Sequence, residues 1–193
     1  FVIGYEGQKL KSYVESLNIK TSLEFIDNDV YYKTNNIYSL WLTRPYADGE
    51  EVLLLDSDIV FDPQIVAKLL GSDKADALAL NRHELGAEEI KVIADEEQKV
   101  VEISKVCSIP EAIGESIGIE KMSATYTKAL FQELETIITV ERLDNIFYER
   151  AFERLIPQGY SFYVIDTTEF FSAELDTVED FQQAQKLIPA SLY

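Results

Sequence analysis

The chain has 193 residues, 47% of them hydrophobic, and a formal net charge of −18 at pH 7. This composition predicts one sizeable globular domain with a full core. It argues against nucleic acid and anionic membrane as partners, because both bind basic surfaces. It does not exclude a small phosphorylated partner, because a bound metal ion and a few basic groups can reverse the local field.

Cysteine and histidine each occur once, as Cys107 and His83. An internal disulfide is therefore excluded, and so is a zinc site built from cysteine and histidine. Any metal ion must be bound by oxygen ligands. We expect a cytoplasmic protein, because the sequence shows neither a secretory leader nor an apolar stretch long enough to cross a bilayer. His83 has no evident partner in a catalytic triad and is interpreted as a surface residue.

Strands and helices alternate through the first 80 residues, which predicts a doubly wound α/β sheet. The apolar run Val52-Leu53-Leu54-Leu55 is expected to be its central, buried parallel strand. The other strands are predicted over residues 1–3, 23–26 and 75–80. Helices are predicted over residues 6–17, 36–46 (with Asn35 or Thr34 as its cap) and 63–70 (capped by Asp62).

The pattern changes after residue 80. Segments 90–94 and 100–104 are separated by a polar turn and predict a hairpin inserted at the edge of the sheet. The remaining predictions are strands over 116–120 and 161–165 and helices over 123–135, 143–155 and 178–187. No repeat, low-complexity tract or linker interrupts this series, so we predict a single domain over residues 1–193.

Two acidic doublets, Asp56-Ser57-Asp58 and Glu174-Leu175-Asp176, come after predicted strands. Ligands of open α/β sheets bind beyond the carboxyl ends of the strands. Mg²⁺ prefers oxygen ligands and usually also binds substrate phosphates. The doublets therefore predict a metal site. The alternative interpretation is a turn for the first doublet and a helix cap, at Asp176 or Thr177, for the second.

Other polar residues allow two interpretations each. Lys105 stands at the end of a predicted strand, where it is either a solvated charge or a ligand contact. Asp144 and Glu149 lie on the polar face of a predicted helix, where simple solvation is the alternative to a binding role. Tyr31 and Tyr32 are expected in the core rather than in a platform for stacking a base.

Several segments of the chain, in this order, resemble the nucleotidyltransferases that activate small phosphorylated compounds. These segments are Gly4-Tyr5, Tyr32 to Leu40, Leu55 to Asp58, Gly114 to Ile119 with Met122-Ser123, and Glu174 to Asp180. Each motif is weak alone, but their order is fairly specific and covers nearly the whole chain. The strongest resemblance is to phosphocholine cytidylyltransferases and to the nucleotidyltransferase domains of phosphonate and sugar-nucleotide pathways.

The resemblance implies a Rossmann-like mixed sheet of the nucleotide-diphospho-sugar transferase type. It implies Mg²⁺-dependent transfer of a nucleoside monophosphate from CTP, UTP or dTTP to a phosphocholine-like compound or a sugar 1-phosphate, with release of pyrophosphate. The metal and a few positioned charges would supply most of the catalysis, because two polyanions must be brought together. Self-association is left open.

The same resemblance implies roles for individual residues. Asp58 and Asp176 would hold Mg²⁺ and act in catalysis, with Glu174 beside them and Asp56 supporting the site. Asn35 would lie near the nucleotide. On the other side, Lys105, Glu115, Asp144 and Glu149 would face the phosphorylated substrate, with Lys105 acting in catalysis. The acidic groups there would suit a cationic head group such as choline or an amine.

One feature of the family is not found in the chain. The family opens with a strand and a Gly-rich basic loop that binds the NTP phosphates, whereas the chain begins at what would be the second strand. We expect a block of roughly 30 residues, about the size of a βαβ unit, to be missing before Phe1. Two other functions stay open. They are a metal-dependent glycosyltransferase that uses the Asp-x-Asp motif and a non-catalytic partner domain.

Overall fold

The computed structural model describes residues 1–192. Its first half contains β1 (Val2–Ile3), α1 (Gly7–Ser16), β2 (Ile26–Asp27), α2 (Asn36–Leu42), α3 (Arg44–Ala47), β3 (Val52–Leu55), β4 (Ile59–Phe61), α4 (Gln64–Gly71) and β5 (Ala77–Asn81). Its second half contains β6 (Lys91–Ala94), β7 (Val100–Ser104), β8 (Gly114–Met122), α5 (Ala124–Glu135), a π-helical turn (Thr136–Val140), α6 (Glu149–Leu155), β9 (Tyr163–Asp166), β10 (Ser172–Glu174) and α7 (Val178–Leu187).

The main sheet is mixed and has six strands, with the order β7-β6-β8-β5-β9 and with β3 also paired to β8. The long strand β8 pairs with β5 along one edge. Its other edge is shared by β6 near Gly114 and by β3 near Met122. Since β5 and β9 are parallel and β3 runs the same way, the carboxyl ends of these three strands lie at one edge of the sheet.

Helices cover both faces of this sheet, as strand β5 shows. Its residues Leu78 and Leu80 are fully buried in the core cluster that includes α5 and α6. The alternate residues Ala77 and Ala79 are fully buried in a second cluster, under α4. This alternation follows from the period of two in a strand that is covered on both sides. The predicted α/β architecture is therefore confirmed, and so is the hairpin of β6 and β7 at the sheet edge.

Two further sheets are small. Strand β1 pairs in parallel with β2, and β4 pairs antiparallel with β10. Neither β4 nor β10 was predicted, because segments of three residues carry too little periodicity to be recognised. Among residues 1–192, no helix combines the length and the apolar character needed to cross a membrane.

Strand β3 differs from its prediction as the central, buried parallel strand. Its only ladder in the described chain is antiparallel, to β8, and its residues are partly exposed, with Leu55 at 40%. The strand that separates it from β5 is β8, which comes more than 50 residues later in the chain. An apolar run does not reveal which strand will lie beside it, and this prediction was wrong for that reason.

Two predicted helices are shorter in the structure. Helix α2 ends at Leu42 because Pro45, in the first turn of α3, has no N–H with which to continue the helical ladder. The helix predicted over 143–155 begins only at Glu149. The residues before it bond to α2 instead. Asn35 donates its backbone N–H to the carbonyl of Asp144, over 3.0 Å.

The prediction that the tyrosines of the loop after β2 lie in the core was also wrong. Tyr31 is 43% exposed and Tyr32 is 73% exposed, so neither lies in the core. The two rings form an edge-to-face pair, with centroids 5.9 Å apart.

Candidate functional site

The two acidic doublets meet at one point of the fold. Asp56 and Asp58 lie between β3 and β4, and Glu174 ends β10. The antiparallel register sets Glu174 opposite Ile59, and Leu175 donates its N–H to the carbonyl of Asp58 over 2.8 Å. The pairing of two short strands therefore joins segments that are more than 100 residues apart.

Asp56 is held from two sides. Its N–H donates to the carbonyl of Gly118 over 2.9 Å, and its Oδ2 accepts a hydrogen bond from the Tyr148 hydroxyl over 3.0 Å. Burial and the neighbouring charge of Asp58 raise the pKa of Asp56 to about 6, although the hydrogen bond from Tyr148 opposes the rise. The Asp56 carboxylate is thus fixed in orientation and takes up its proton at a higher pH than an exposed aspartate.

Gly118 is needed for this arrangement. Its φ is +69°, a left-handed conformation that favours glycine, and an added Cβ would lie 2.5 Å from Asp56 Oδ2. We expect Gly118→Ala to destabilise the protein by about 2 kcal/mol, from backbone strain and displacement of Asp56. Urea unfolding measures this. The matched control is Gly71→Ala, because Gly71 has open space around its Cα and no positive φ. Equal stability of the two variants would contradict the role of Gly118.

Glu174 shows that negative charge accumulates at the joined doublets. Partial burial, together with the charges of Glu115, Asp176 and Asp58, raises the pKa of Glu174 to about 7. Carboxylates that repel each other in this way are stabilised by a cation between them.

The donor set is made of oxygen atoms only, which suits Mg²⁺. Residues 1–192 contain no group of three acidic, histidine or cysteine side chains in a geometry that could hold a metal ion on its own. Mg²⁺ commonly takes only one or two carboxylates and completes its shell with waters and substrate phosphates. The described residues therefore do not form a closed metal cage, and a metal ion held here would need further ligands from its substrate.

A second set of acidic residues lies behind Asp56 and is more deeply buried. Glu120 of β8 is 1% exposed and Glu149 at the start of α6 is 7% exposed. Burial and, to a smaller extent, the charge of Asp56 raise the pKa of Glu149 to about 7, although the charge of Lys105 opposes the rise. For Glu120, burial and the charges of Asp56 and Glu149 raise the pKa well above its usual range. One carboxyl oxygen of each glutamate has no hydrogen-bond partner in the described part of the chain.

These positions change the interpretation of Asp144 and Glu149. The two were placed on one polar helix face, with solvation as the alternative to binding. Instead, Asp144 lies in the loop before α6, where its carbonyl accepts from Asn35. Glu149 is buried, so solvation does not explain it. The sequence missed Glu120 as a site residue because its burial depends on which strands and helices pack around β8. The bond of the Tyr148 hydroxyl to Asp56 likewise has no local signature in the sequence.

Asn35 caps α2, with its Oδ1 accepting from the N–H of Asn36 over 2.7 Å. Asn36, which was not singled out, has the more informative contact. Its Oδ1 accepts the N–H of Tyr148 over 3.0 Å. This pair of asparagines ties the loop after β2 to the segment that carries Tyr148 and Glu149.

Lys105 and Glu115 lie at the outer side of the site. The Lys105 Nζ stands 4.6 Å from the ring centroid of Phe147 and 3.4 Å from a carboxyl oxygen of Glu88. Glu115 is bonded to His83 over 2.7 Å. His83 lies at the surface as predicted, with 42% of its side chain exposed, but it has an acidic partner that the sequence did not indicate.

Asp176 precedes the N-cap of α7, which is Thr177. Thr177 and Asp180 form a reciprocal capping box, in which the Thr177 Oγ1 accepts from Asp180 N–H over 3.1 Å and Asp180 Oδ2 accepts from Thr177 N–H over 2.9 Å. Of the two predicted caps, Thr177 is therefore the one used. The Asp176 carboxylate is exposed and free of that role.

The fold is shared with solved nucleotidyltransferase structures. The inositol-1-phosphate CTP transferase from T. maritima is 17% identical, with a TM-score of 0.72 over 100% of this chain and 72% of that chain. The CTP:phosphocholine cytidylyltransferase from Streptococcus pneumoniae is 18% identical, with a TM-score of 0.71 over 93% and 75%. A Bacillus anthracis structure assigned as a glucose-1-phosphate thymidylyltransferase is 14% identical, with a TM-score of 0.73 over 96% and 74%.

No family model and no curated protein matches the sequence. The chain therefore has the nucleotidyltransferase fold, and the resemblance seen in the sequence is confirmed at the level of that fold. At identities below 20%, the likeness identifies the fold and not the substrates.

Proposed function

We propose that the protein is a nucleotidyltransferase, which transfers a nucleoside monophosphate from an NTP to a small phosphorylated compound and releases pyrophosphate. The observation that carries this proposal is the meeting of Asp58 with Glu174 and Asp176 at the carboxyl edge of a sheet with this fold. Ligands of such sheets bind at this edge. We call the phosphorylated compound the receiving substrate.

In this reaction an oxygen of the receiving phosphate attacks the α-phosphorus of the NTP, and the bond from that phosphorus to the bridging oxygen of pyrophosphate breaks. Asp58 and Asp176 would hold Mg²⁺, with Glu174 beside them. When bound, the metal neutralises phosphate charge and aligns the in-line attack. Asp56, oriented by Tyr148 and Gly118, supports this pair from inside the fold.

The receiving substrate would lie on the side of Lys105, Glu115 and Glu149. Lys105 would bind its phosphate, because an ammonium group acts as a point charge for a phosphate. The buried carboxylates of Glu149, Glu120 and Asp56 favour a cationic group at the other end of the substrate, since among them the described residues place no basic side chain in hydrogen-bond contact. A phosphorylated amine is therefore the class of substrate that we favour over a sugar 1-phosphate.

A phosphate-binding segment before Phe1 stays a prediction from the resemblance. The sheet offers a place for it. Within the described residues, β1 pairs only with β2 and β3 only with β8, so each has one open edge. An added parallel strand could bond to either edge.

The test of the proposed function is pyrophosphate release by the natural full-length protein with Mg²⁺. CTP, UTP, dTTP and ATP are each combined with phosphocholine, phosphoethanolamine and a set of sugar 1-phosphates. Pyrophosphate formed with one pair supports the proposal and identifies both substrates. Nucleoside diphosphate released from a nucleotide-sugar, with no pyrophosphate from any pair, would favour the glycosyltransferase that the Asp-x-Asp motif also allows.

Glu149→Gln tests the cationic group. We expect it to raise the KM of a phosphorylated amine about tenfold, equivalent to about 1.4 kcal/mol, because a buried negative charge near the ammonium is lost. The KM of a neutral sugar phosphate should change less than twofold. Steady-state kinetics with both substrates measures this, with Glu96→Gln in the exposed hairpin turn as control. An equal change for both substrates would remove the argument for an amine.

A further inference from the structure

A small cavity of about 120 Å³ lies beside Glu174. Its polar lining consists of Asn81, His83, Glu115, Ser172 and Glu174, and its other described lining residues are aliphatic. The volume corresponds to about four water molecules at ~30 Å³ each, which is room for one small polar group. His83 is the only basic side chain among these lining residues.

The hydrogen-bond partners of His83 show which of its ring nitrogens carry hydrogens. Its Nδ1 lies 2.9 Å from the carbonyl oxygen of Glu84, which can only accept, so Nδ1 carries a hydrogen. Its Nε2 lies 2.7 Å from Oε2 of Glu115. A proton is therefore also held between Nε2 and the carboxylate, and both ring nitrogens are engaged as in an imidazolium paired with a carboxylate.

The surroundings favour this charged pair. Partial burial lowers the pKa of His83, but the hydrogen bonds to Glu115 and to the Glu84 carbonyl and the charge of Glu89 outweigh it, so that the pKa is raised overall. Burial raises the pKa of Glu115, and the charge of Glu89 adds to the rise, whereas the hydrogen bond and charge of His83 and the charge of Lys91 oppose it. The Lys91 Nζ is bonded to the carbonyls of Glu89 and Lys105. Glu174 also lines the cavity.

The pairing of His83 with Glu115 affects which groups the cavity presents to a ligand. His83 occupies Oε2 of Glu115, and the other acidic side chain among the described lining residues is Glu174. Asn81 and Ser172 also line the cavity, and the Asn81 amide donates to the Ser172 hydroxyl over 2.7 Å, which fixes both groups. The cavity thus presents carboxyl, hydroxyl and amide oxygens to a group with N–H or O–H hydrogens. None of its described lining residues is aromatic, whereas a quaternary ammonium needs an aromatic face.

We propose that His83 is a positioning residue for the receiving substrate. It holds Glu115 so that the cavity binds a primary ammonium or hydroxyl group of that substrate, in preference to a trimethylated ammonium. This inference rests on the proposed function and refines it, because it places the polar end of the receiving substrate in this cavity and not beside Glu149. A change in the KM of the amine with Glu149→Gln and none with His83→Leu would therefore overturn the inference and leave the proposed function standing.

The first test needs no turnover. His83 is the only histidine of the 193 residues, so its imidazole gives a single set of ¹H–¹⁵N signals. We expect both ring nitrogens to be protonated at pH 6.5 and Glu115→Gln to shift the titration of the ring to lower pH. Phosphoethanolamine should shift the ring signals and phosphocholine should not. A titration unchanged by Glu115→Gln would overturn the pairing, and equal shifts with the two compounds would overturn the selection.

The second test is kinetic and uses the full-length protein. His83→Leu should raise the KM of the receiving substrate at least tenfold, with the KM of the NTP and kcat changed less than twofold. His83→Gln should recover part of this loss, because its amide can still donate to Glu115. Glu96→Gln is the matched surface control. Equal changes in all three constants for His83→Leu would indicate a purely structural role and overturn the inference.

Failure of the inference and failure of the proposed function are distinguishable. If the wild-type protein releases pyrophosphate and His83→Leu matches it, the inference is wrong while nucleotidyl transfer stands. If no pair of substrates yields pyrophosphate, nucleotidyl transfer is wrong, and the imidazole signals still decide whether His83 and Glu115 form the pair. Hydroxylated and ammonium substrates are distinguished by comparing glycerol phosphate with phosphoethanolamine in the same titration.

Discussion

Replacing Asp58 or Asp176 by asparagine is expected to lower pyrophosphate release at least a hundredfold while the protein stays folded. Each change removes one negative oxygen ligand from the site where the metal would meet the NTP phosphates. A hundredfold loss corresponds to about 2.7 kcal/mol of transition-state stabilisation, which lies within what a bound metal supplies. Both side chains are exposed, so neither substitution leaves an unsatisfied group in the core.

The measurement is the rate of pyrophosphate release at saturating Mg²⁺, together with the urea unfolding curve of each variant. Asp73→Asn is the matched control, because Asp73 is an exposed aspartate in the loop between α4 and β5. We expect it to retain full activity. Near-normal Mg²⁺-dependent activity of both Asp58→Asn and Asp176→Asn would refute the assignment of the metal.

The second large effect concerns stability and involves Glu120. Its Oε1 accepts a hydrogen bond from the Ser116 hydroxyl over 3.1 Å, whereas Oε2 has no partner among residues 1–192. Burial and the charges of Asp56 and Glu149 raise its pKa well above the usual value of 4.5. Above pH 4.5 the unfolded chain therefore releases this proton and the folded protein keeps it, so Glu120 lowers stability as the pH rises.

Glu120→Gln removes this penalty and keeps the shape of the side chain. We expect the variant to be close to the wild type at pH 5 and more stable at pH 7.5, because the penalty grows by up to about 1.4 kcal/mol for each pH unit over which the folded protein keeps the proton. Urea unfolding at the two pH values measures the difference. Glu96→Gln should show no such trend, since Glu96 is exposed. A difference between Glu120→Gln and the wild type that does not change with pH would show that Glu120 titrates normally.

The carboxyl groups behind the site also bear on function. The charge of Asp56 raises the pKa of both Glu120 and Glu149, and the charge of Glu149 raises that of Glu120, so these groups do not all ionise together in the folded protein. Isolated buried carboxyl groups without partners are costly, and such groups gather where a site needs them. A cationic substrate group would favour their ionised forms, so Glu120→Gln should gain stability at pH 7.5 and lose affinity for an amine together.

Local signals in the sequence were sufficient to predict several helices and strands. The helix predicted over residues 178–187 has the same bounds in the structure, since the capping box between Thr177 and Asp180 needs only neighbours in the chain. The hairpin of β6 and β7 was likewise predictable from its alternating pattern and polar turn. The positions of the acidic doublets after strands also followed from local patterns.

The contacts that build the site needed the tertiary structure. Tyr148 bonds to Asp56 across 92 residues, and His83 bonds to Glu115 across 32. Neither pair has a local signature, because each depends on which strands become neighbours. The same holds for β3, whose partner β8 comes from the second half of the chain.

The sequence by itself thus determined the fold class, the order of most elements and the acidic character of the site, because these depend on periodicity, capping and residue type. Only the tertiary structure decided that Glu120 and Glu149 are buried together and that His83 is paired. Burial and pairing arise when strands and helices distant in the chain pack against each other, and they set the pKa values from which the chemistry is inferred.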